Sequence, residues 1–136
     1  MEEKPTWLAV VAAAIRDAQG RLLLQQALPG KRHARLWEFP GGKVESEENP
    51  RLALAREVRE ELRLTLDPAA MRPRGFADEA GAGTRPAIVL FLYDCPVWEG
   101  EPAALEGQAF GWFAPGEAGQ LPLAPMDRTL LETLAR

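Results

Sequence analysis

The chain has 136 residues, 46% hydrophobic and 26% charged, with a formal net charge of −4 at pH 7. That length suits one domain over residues 1–136 with a sizeable core, and the acidic balance without a long basic cluster excludes an extended nucleic-acid surface. The single cysteine, Cys95, excludes an internal disulfide, and no apolar run approaches the ~18 residues of a membrane span.

The N-terminus, Met1 to Pro5, lacks the basic-then-apolar order of a signal peptide, so a cytoplasmic location is expected. Trp7 to Ile15 is apolar and rich in Val and Ala, and reads as a strand by its length and the turn that follows. Asp17-Ala18-Gln19-Gly20 is that turn, and Arg21 to Gln26 is a second apolar run. The pair reads as a β-hairpin. Leu28 to Arg35 is a Pro- and Gly-containing loop that carries Lys31, Arg32, His33 and Arg35. It reads either as a solvated surface loop or as a cover that offsets the charge of a bound phosphate chain. Leu36 to Glu45 then reads as a short strand running into the Gly41-Gly42 turn, where the backbone can approach a ligand closely. Trp37 and Phe39 are each as readily core aromatics as base-stacking ones.

Asn49-Pro50 opens a helix, because Asn caps free N–H groups and Pro at the first position loses no hydrogen bond. Leu54, Val58 and Leu62 give that helix an apolar stripe. Glu57, Glu60 and Glu61 stand at spacings of three and four, which places three carboxylates on one face. A solvated acidic face is the ordinary reading of such a cluster. The nearby glycine turn and Arg56 favour another: oxygen ligands for a hard divalent ion such as Mg²⁺, which in turn bridges to substrate phosphates.

Asp67-Pro68 breaks the helical register. Pro73 to Asp78 and Ala87 to Tyr93 read as strands, joined by a link containing Gly81 and Gly83. Cys95 follows in an apolar run and reads as a core residue. Trp98 to Gln108 is a loop, Ala109 to Phe113 a last short strand, and Ala114 to Leu123 a linker. Pro125-Met126-Asp127 leads into a closing helix with Leu130, Leu131 and Leu134 as its apolar positions. Asp127 reads as a cap of that helix before it reads as a ligand-binding residue.

The stretch from Gly42 to Leu64 resembles the Nudix box, G-x5-E-x7-R-E-U-x-E-E-x-G-U with U aliphatic. Gly42, Glu48, Arg56, Glu57, Val58, Glu60, Glu61 and Leu64 match it, and Arg63 stands where the pattern has its last glycine. Together with Leu36 to Val44 and with Glu106-Gly107-Gln108, the chain is most similar to the MutT-type 8-oxo-dGTP diphosphatases. The resemblance implies an α/β/α sandwich around a mixed β-sheet. It implies that Glu57, Glu60, Glu61 and the Gly41 carbonyl hold Mg²⁺ or Mn²⁺, with Glu106 near the metal-bound phosphates as a candidate base. Arg56 would hold the glutamates in place through Glu48, with Glu45 in an outer layer. Phe39 would help form the base pocket, and Gly42, Lys43, Arg32 and Asp127 are further candidates for substrate contact.

The implied substrate is a nucleoside triphosphate, cleaved to a monophosphate and pyrophosphate by a monomer or small homo-oligomer. Two positions depart from the type: Gln26-Ala27 stands where an arginine is expected, and Pro125 where an asparagine reads the oxidised base. A pyrimidine triphosphate or another nucleoside diphosphate derivative is therefore an alternative substrate. An alternative of a different class is a non-catalytic module that recognises oxidised bases.

Overall fold

The computed structural model describes residues 6–134, so the Met1 to Pro5 segment lies outside the described residues. The first strand, β1 (Trp7–Ala14), is the middle of the molecule. Val11 to Ile15 are all buried, as expected of a strand covered on both faces. Val11, Ala13 and Ile15 face one apolar cluster, and Ala12 and Ala14 face the other.

The expected hairpin forms only at its turn. The Asp17 carboxylate accepts the N–H groups of Gln19 (3.0 Å) and Arg21 (2.9 Å), and the chain reverses. Beyond the bridge between Arg16 and Leu22, however, β2 (Leu22–Gln26) leaves for another sheet. The reason is that both edges of β1 are taken. β4 (Gly41–Lys43) pairs with it antiparallel and β7 (Ala87–Asp94) pairs with it parallel. With β6 (Arg72–Glu79) antiparallel on β7, the result is a mixed four-stranded sheet of order β4-β1-β7-β6. β2 instead lies between β3 (Trp37–Glu38) and β9 (Phe110–Phe113), antiparallel to both.

The Leu36 to Glu45 strand is likewise divided. β3 belongs to the three-stranded sheet and β4 to the four-stranded one, so Phe39-Pro40 carries the chain from one sheet to the other. Pro40 has no N–H to donate, and its carbonyl accepts the Ala13 N–H at 2.9 Å. The crossing buries Phe39 and brings Gly41 against β1.

Helix α1 (Pro50–Leu62) starts as expected, with the Asn49 side chain accepting the Arg51 N–H at 2.9 Å. Its Leu54, Val58 and Leu62 are fully buried against Val11, Ala13, Ile15 and Leu23. It ends before the Asp67-Pro68 break, because Arg63 takes the left-handed conformation (φ 64°, ψ 21°) usual for glycine at a helix exit. Asp67 instead caps a short 3₁₀ turn, Pro68–Ala70. Between α1 and that turn, β5 (Thr65–Leu66) pairs with β8 (Trp98–Glu99). The linker holds one short helix, α2 (Pro115–Ala118). The closing helix, α3 (Pro125–Leu134), buries Met126, Leu130 and Leu131 in a cluster with Ala12, Leu24, Leu90 and Leu92. With α1 on one face of the strands and α3 on the other, the architecture is the expected α/β/α sandwich around a mixed sheet.

Candidate active site

Asn49 and Pro50 set the start of α1, and its apolar stripe fixes its rotation on the sheet. Glu57 and Glu61 are thereby turned toward β4, while Glu60 is left on the outer side with its side chain 58% exposed. Arg56 joins the acids. Its Nε and one terminal nitrogen hold the two Glu48 oxygens at 2.8 and 3.0 Å, a two-bond clamp. Its other terminal nitrogen reaches Glu57 at 3.0 Å and Glu60 at 3.3 Å. Arg56 also donates to the Lys43 carbonyl at 3.2 Å, which ties α1 to the glycine turn. Its hydrogen bonds draw the Glu48 carboxyl down to a pKa of about 2. Glu48 in turn accepts the Glu45 N–H at 3.0 Å, so Glu45 enters through its backbone.

The glycines are required by what lies beside them. Glu61 accepts the Gly41 N–H at 3.1 Å. A Cβ on Gly42 would run into the Glu57 carboxyl, and one on Gly41 would run into the Val11 carbonyl of β1. The backbone therefore lies flush against both an acidic side chain and a neighbouring strand.

Glu57, Glu61, Gly41 and Gly42 open onto a cavity of about 380 Å³, which Phe39, Lys43, Arg32, Glu106 and Asp127 also line. Its carboxyls act on each other in two sets. Burial raises the Glu61 pKa to about 8, and the charges of Glu57 and Glu106 add to the shift. Burial also raises Glu57, helped by Glu60 and Glu106 and opposed by Arg56. In the second set, burial raises Glu38 to about 7, opposed by Lys31. Asp127 is raised well above the carboxylate range by burial and by the Glu38 charge.

Several expected residues have other partners. The Asp127 carboxylate is buried and accepts the Phe39 N–H at 2.9 Å, from 88 residues away, rather than standing at the surface as a helix cap. Arg32 pairs with Glu79 at 2.9 Å and donates to the Pro86 carbonyl at 3.0 Å. His33 contacts the same Glu79 at 3.1 Å. The basic loop is thus fastened to the turn between β6 and β7 and closes one side of the cavity.

Three polar lining residues carry no role in the sequence reading: Glu38, Gln25 and Gln108. For Glu38 and Gln25 the signal is a polar residue at an apolar position. Glu38 interrupts Leu36-Trp37-Phe39, and Gln25 follows Leu22-Leu23-Leu24 on the same strand. Gln108 lies two residues after Glu106 in a polar loop, where nothing in the sequence marks it as buried.

Among the described residues, no three Asp, Glu, His or Cys side chains converge as a metal-ligand cluster. Arg56 holds Glu57 and Glu60, and the Gly41 N–H holds Glu61. The donor set nevertheless fits a hard divalent cation. It is all oxygen, and after burial the charges of Glu57 and Glu106 raise Glu61 while those of Glu60 and Glu106 raise Glu57, a repulsion that a cation would relieve.

The model of the NUDIX domain matches residues 5–134. The chain belongs to the Nudix family. It is 41% identical to a CTP pyrophosphohydrolase of Escherichia coli over 90% of this chain and 87% of that protein. It is 38% identical to an 8-oxo-dGTP diphosphatase of Haemophilus influenzae over 93% of this chain and 90% of that protein. The crystal structure of a MutT Nudix hydrolase from Burkholderia pseudomallei superposes with a TM-score of 0.83 at 31% identity, covering 94% of this chain and 98% of that one. This protein is accordingly a MutT-type Nudix hydrolase acting on phosphoric anhydride bonds. Members of the family generally use a divalent metal such as Mg²⁺.

Proposed function

We propose that the chain is a nucleoside triphosphate pyrophosphohydrolase that acts on 8-oxo-dGTP and so removes an oxidised nucleotide from the precursor pool. The observation that carries this reading is one cavity that holds two sets of carboxyls. Glu57, Glu61 and Glu106 line it where they would offer oxygen to a divalent metal, and Phe39, Glu38 and Asp127 line it where they would face a base. Elements from β1 to α3 contribute to it, in keeping with one functional domain over residues 1–136.

Glu57, Glu60, Glu61, Glu106 and the Gly41 carbonyl would hold Mg²⁺ or Mn²⁺, which when bound neutralises charge on the phosphates. Arg56 keeps Glu57 and Glu60 from swinging apart, with Glu48 holding Arg56. Glu106 is exposed at the cavity and takes a proton from the attacking water. The water oxygen bonds to the β-phosphorus and the bridge to the α-phosphate breaks, which gives a nucleoside monophosphate and pyrophosphate. Phe39 packs against the base. Glu38 and Asp127, with raised pKa values, can between them present both a protonated and an ionised carboxyl. Such a pair matches a base edge that has both a donor and an acceptor. Lys43 and the basic loop lie beside the phosphate chain.

A second reading is CTP as the substrate, favoured by the E. coli relative's name and by the amino group and ring nitrogen of cytosine, which offer the same pair a donor and an acceptor. A non-catalytic module is disfavoured because Arg56, Glu57, Glu60 and Glu61 are all kept. The test is pyrophosphate release at low concentrations of 8-oxo-dGTP, dGTP, CTP and dCTP. The oxidised nucleotide is expected to exceed dGTP by about 100-fold or more in kcat/KM, the discrimination of a hydrogen-bonding site. Equal rates on the two contradict the sanitation role, and a preference for CTP selects the second reading.

A further inference from the structure

We propose that Gln108 and Gln25 form a buried amide bridge that positions Glu106 and Glu61 against each other; this rests on the hydrolase reading above. The two are among only three buried polar side chains in the described residues, 5% and 4% exposed, and the third, Asp127, sits elsewhere.

The bridge uses every group it has in one direction. The Gln108 amide nitrogen donates to the Glu61 backbone carbonyl at 2.9 Å and to the Gln25 side-chain oxygen at 3.1 Å. The Gln108 oxygen accepts the Glu106 N–H at 3.1 Å. Turning the amide over would set NH₂ against an N–H and oxygen against two oxygens, so one orientation is enforced. Gln25 spends its oxygen on Gln108, which leaves its NH₂ for a hydrogen bond to the Glu61 carboxyl.

The bridge lies where a helix end needs it. The last carbonyls of α1 have no partner within the helix. The Ala103 N–H donates to the Leu62 carbonyl at 2.9 Å, and the Leu105 N–H donates to that of Glu61 at 3.1 Å. The loop bearing Glu106 is therefore built directly on the helix turn bearing Glu61. Its tip is otherwise exposed, and Gly107 has a φ of 77°. Gln108 is the one side chain that joins the tip, the helix end and β2. Without it, Glu106 stays on an exposed loop but loses the contact that fixes its N–H.

Gln108 and Gln25 thus act as positioning residues through Glu106 and Glu61. The experiment measures kcat and KM for the best nucleotide with Gln108→Met, Glu106→Gln and the double variant. Methionine keeps the length and removes the hydrogen bonds. Gln108→Met is expected to lower kcat by about 10- to 100-fold with KM changed little, as for a misplaced catalytic group. In the Glu106→Gln background the same change should cost almost nothing further, since residues acting as a unit are not additive. Additive losses, or unchanged kcat in Gln108→Met, overturn the proposal. If Gln108→Met does not fold, Gln25→Met is tested in its place in a cycle with Glu61→Gln, with the same two outcomes. A wild type that hydrolyses no nucleotide refutes the hydrolase reading instead and is seen before any variant is made.

Discussion

Gly41 and Gly42 are adjacent and alike in sequence, yet they fail differently when given a side chain. At Gly42 the new Cβ meets the tip of Glu57, which can move, so Gly42→Ala is expected to fold and to lose most of its kcat. At Gly41 it meets the β1 backbone, which cannot, so Gly41→Ala is expected to lower Tm sharply. Thermal melts and steady-state rates on the two variants separate these effects. Glu61 makes a prediction in pH. Its folded pKa of about 8 lies above the ordinary 4.5, so the folded state retains a proton that the unfolded chain releases. Stability from this group is complete below pH 4.5 and is lost as pH rises toward 8. In EDTA, Glu61→Gln should therefore be more stable than wild type near pH 8 by roughly 1–3 kcal/mol, and about equal to it below pH 4.5. Urea unfolding across that range measures it. At this scale the box glutamates were legible because their spacing is a helical one. Glu38 and Gln25 were not, because a polar residue in a short apolar run looks the same whether it faces solvent or a cavity.

The elements were legible in proportion to how local their signals are. The start of α1 follows from Asn49-Pro50, and both ends of its apolar stripe were readable. The extent of the hairpin around Asp17 to Gly20 is not legible locally, because the fate of β2 depends on β4 and β7, strands far along the chain that occupy both edges of β1. The division of Leu36 to Glu45 has the same origin. At the end of α1, the absence of the box glycine left no mark on the backbone, since Arg63 adopts the left-handed conformation itself. That conformation strains a residue with a Cβ by about 1 kcal/mol. Arg63→Gly is thus expected to stabilise the protein by about 0.5–1 kcal/mol in denaturant titrations, with kcat unchanged.

Over the whole molecule, the two larger sheets share the chain so that β4 and α1 bring the acids to one cavity, and β3 and α3 bring Glu38 and Asp127 to the same one. Apart from Glu106, the half proposed to hold a metal comes from the continuous stretch Gly41 to Glu61, whose pattern is readable in the sequence. The half proposed to hold the base joins residues from distant parts of the chain, and the hydrogen bond from the Phe39 N–H to Asp127 links them only in the folded structure. The two halves should fail separately. Glu57→Gln is expected to lower kcat by about 100-fold or more on every nucleotide alike, as when a charge-stabilising group is lost. Asp127→Asn should instead change the ratio of kcat/KM between 8-oxo-dGTP and dGTP. The deciding measurement is Mg²⁺-dependent pyrophosphate release by wild type and Glu57→Gln. Activity that needs Mg²⁺ and disappears in the variant is the predicted result; full activity in Glu57→Gln, or hydrolysis indifferent to EDTA, would contradict it.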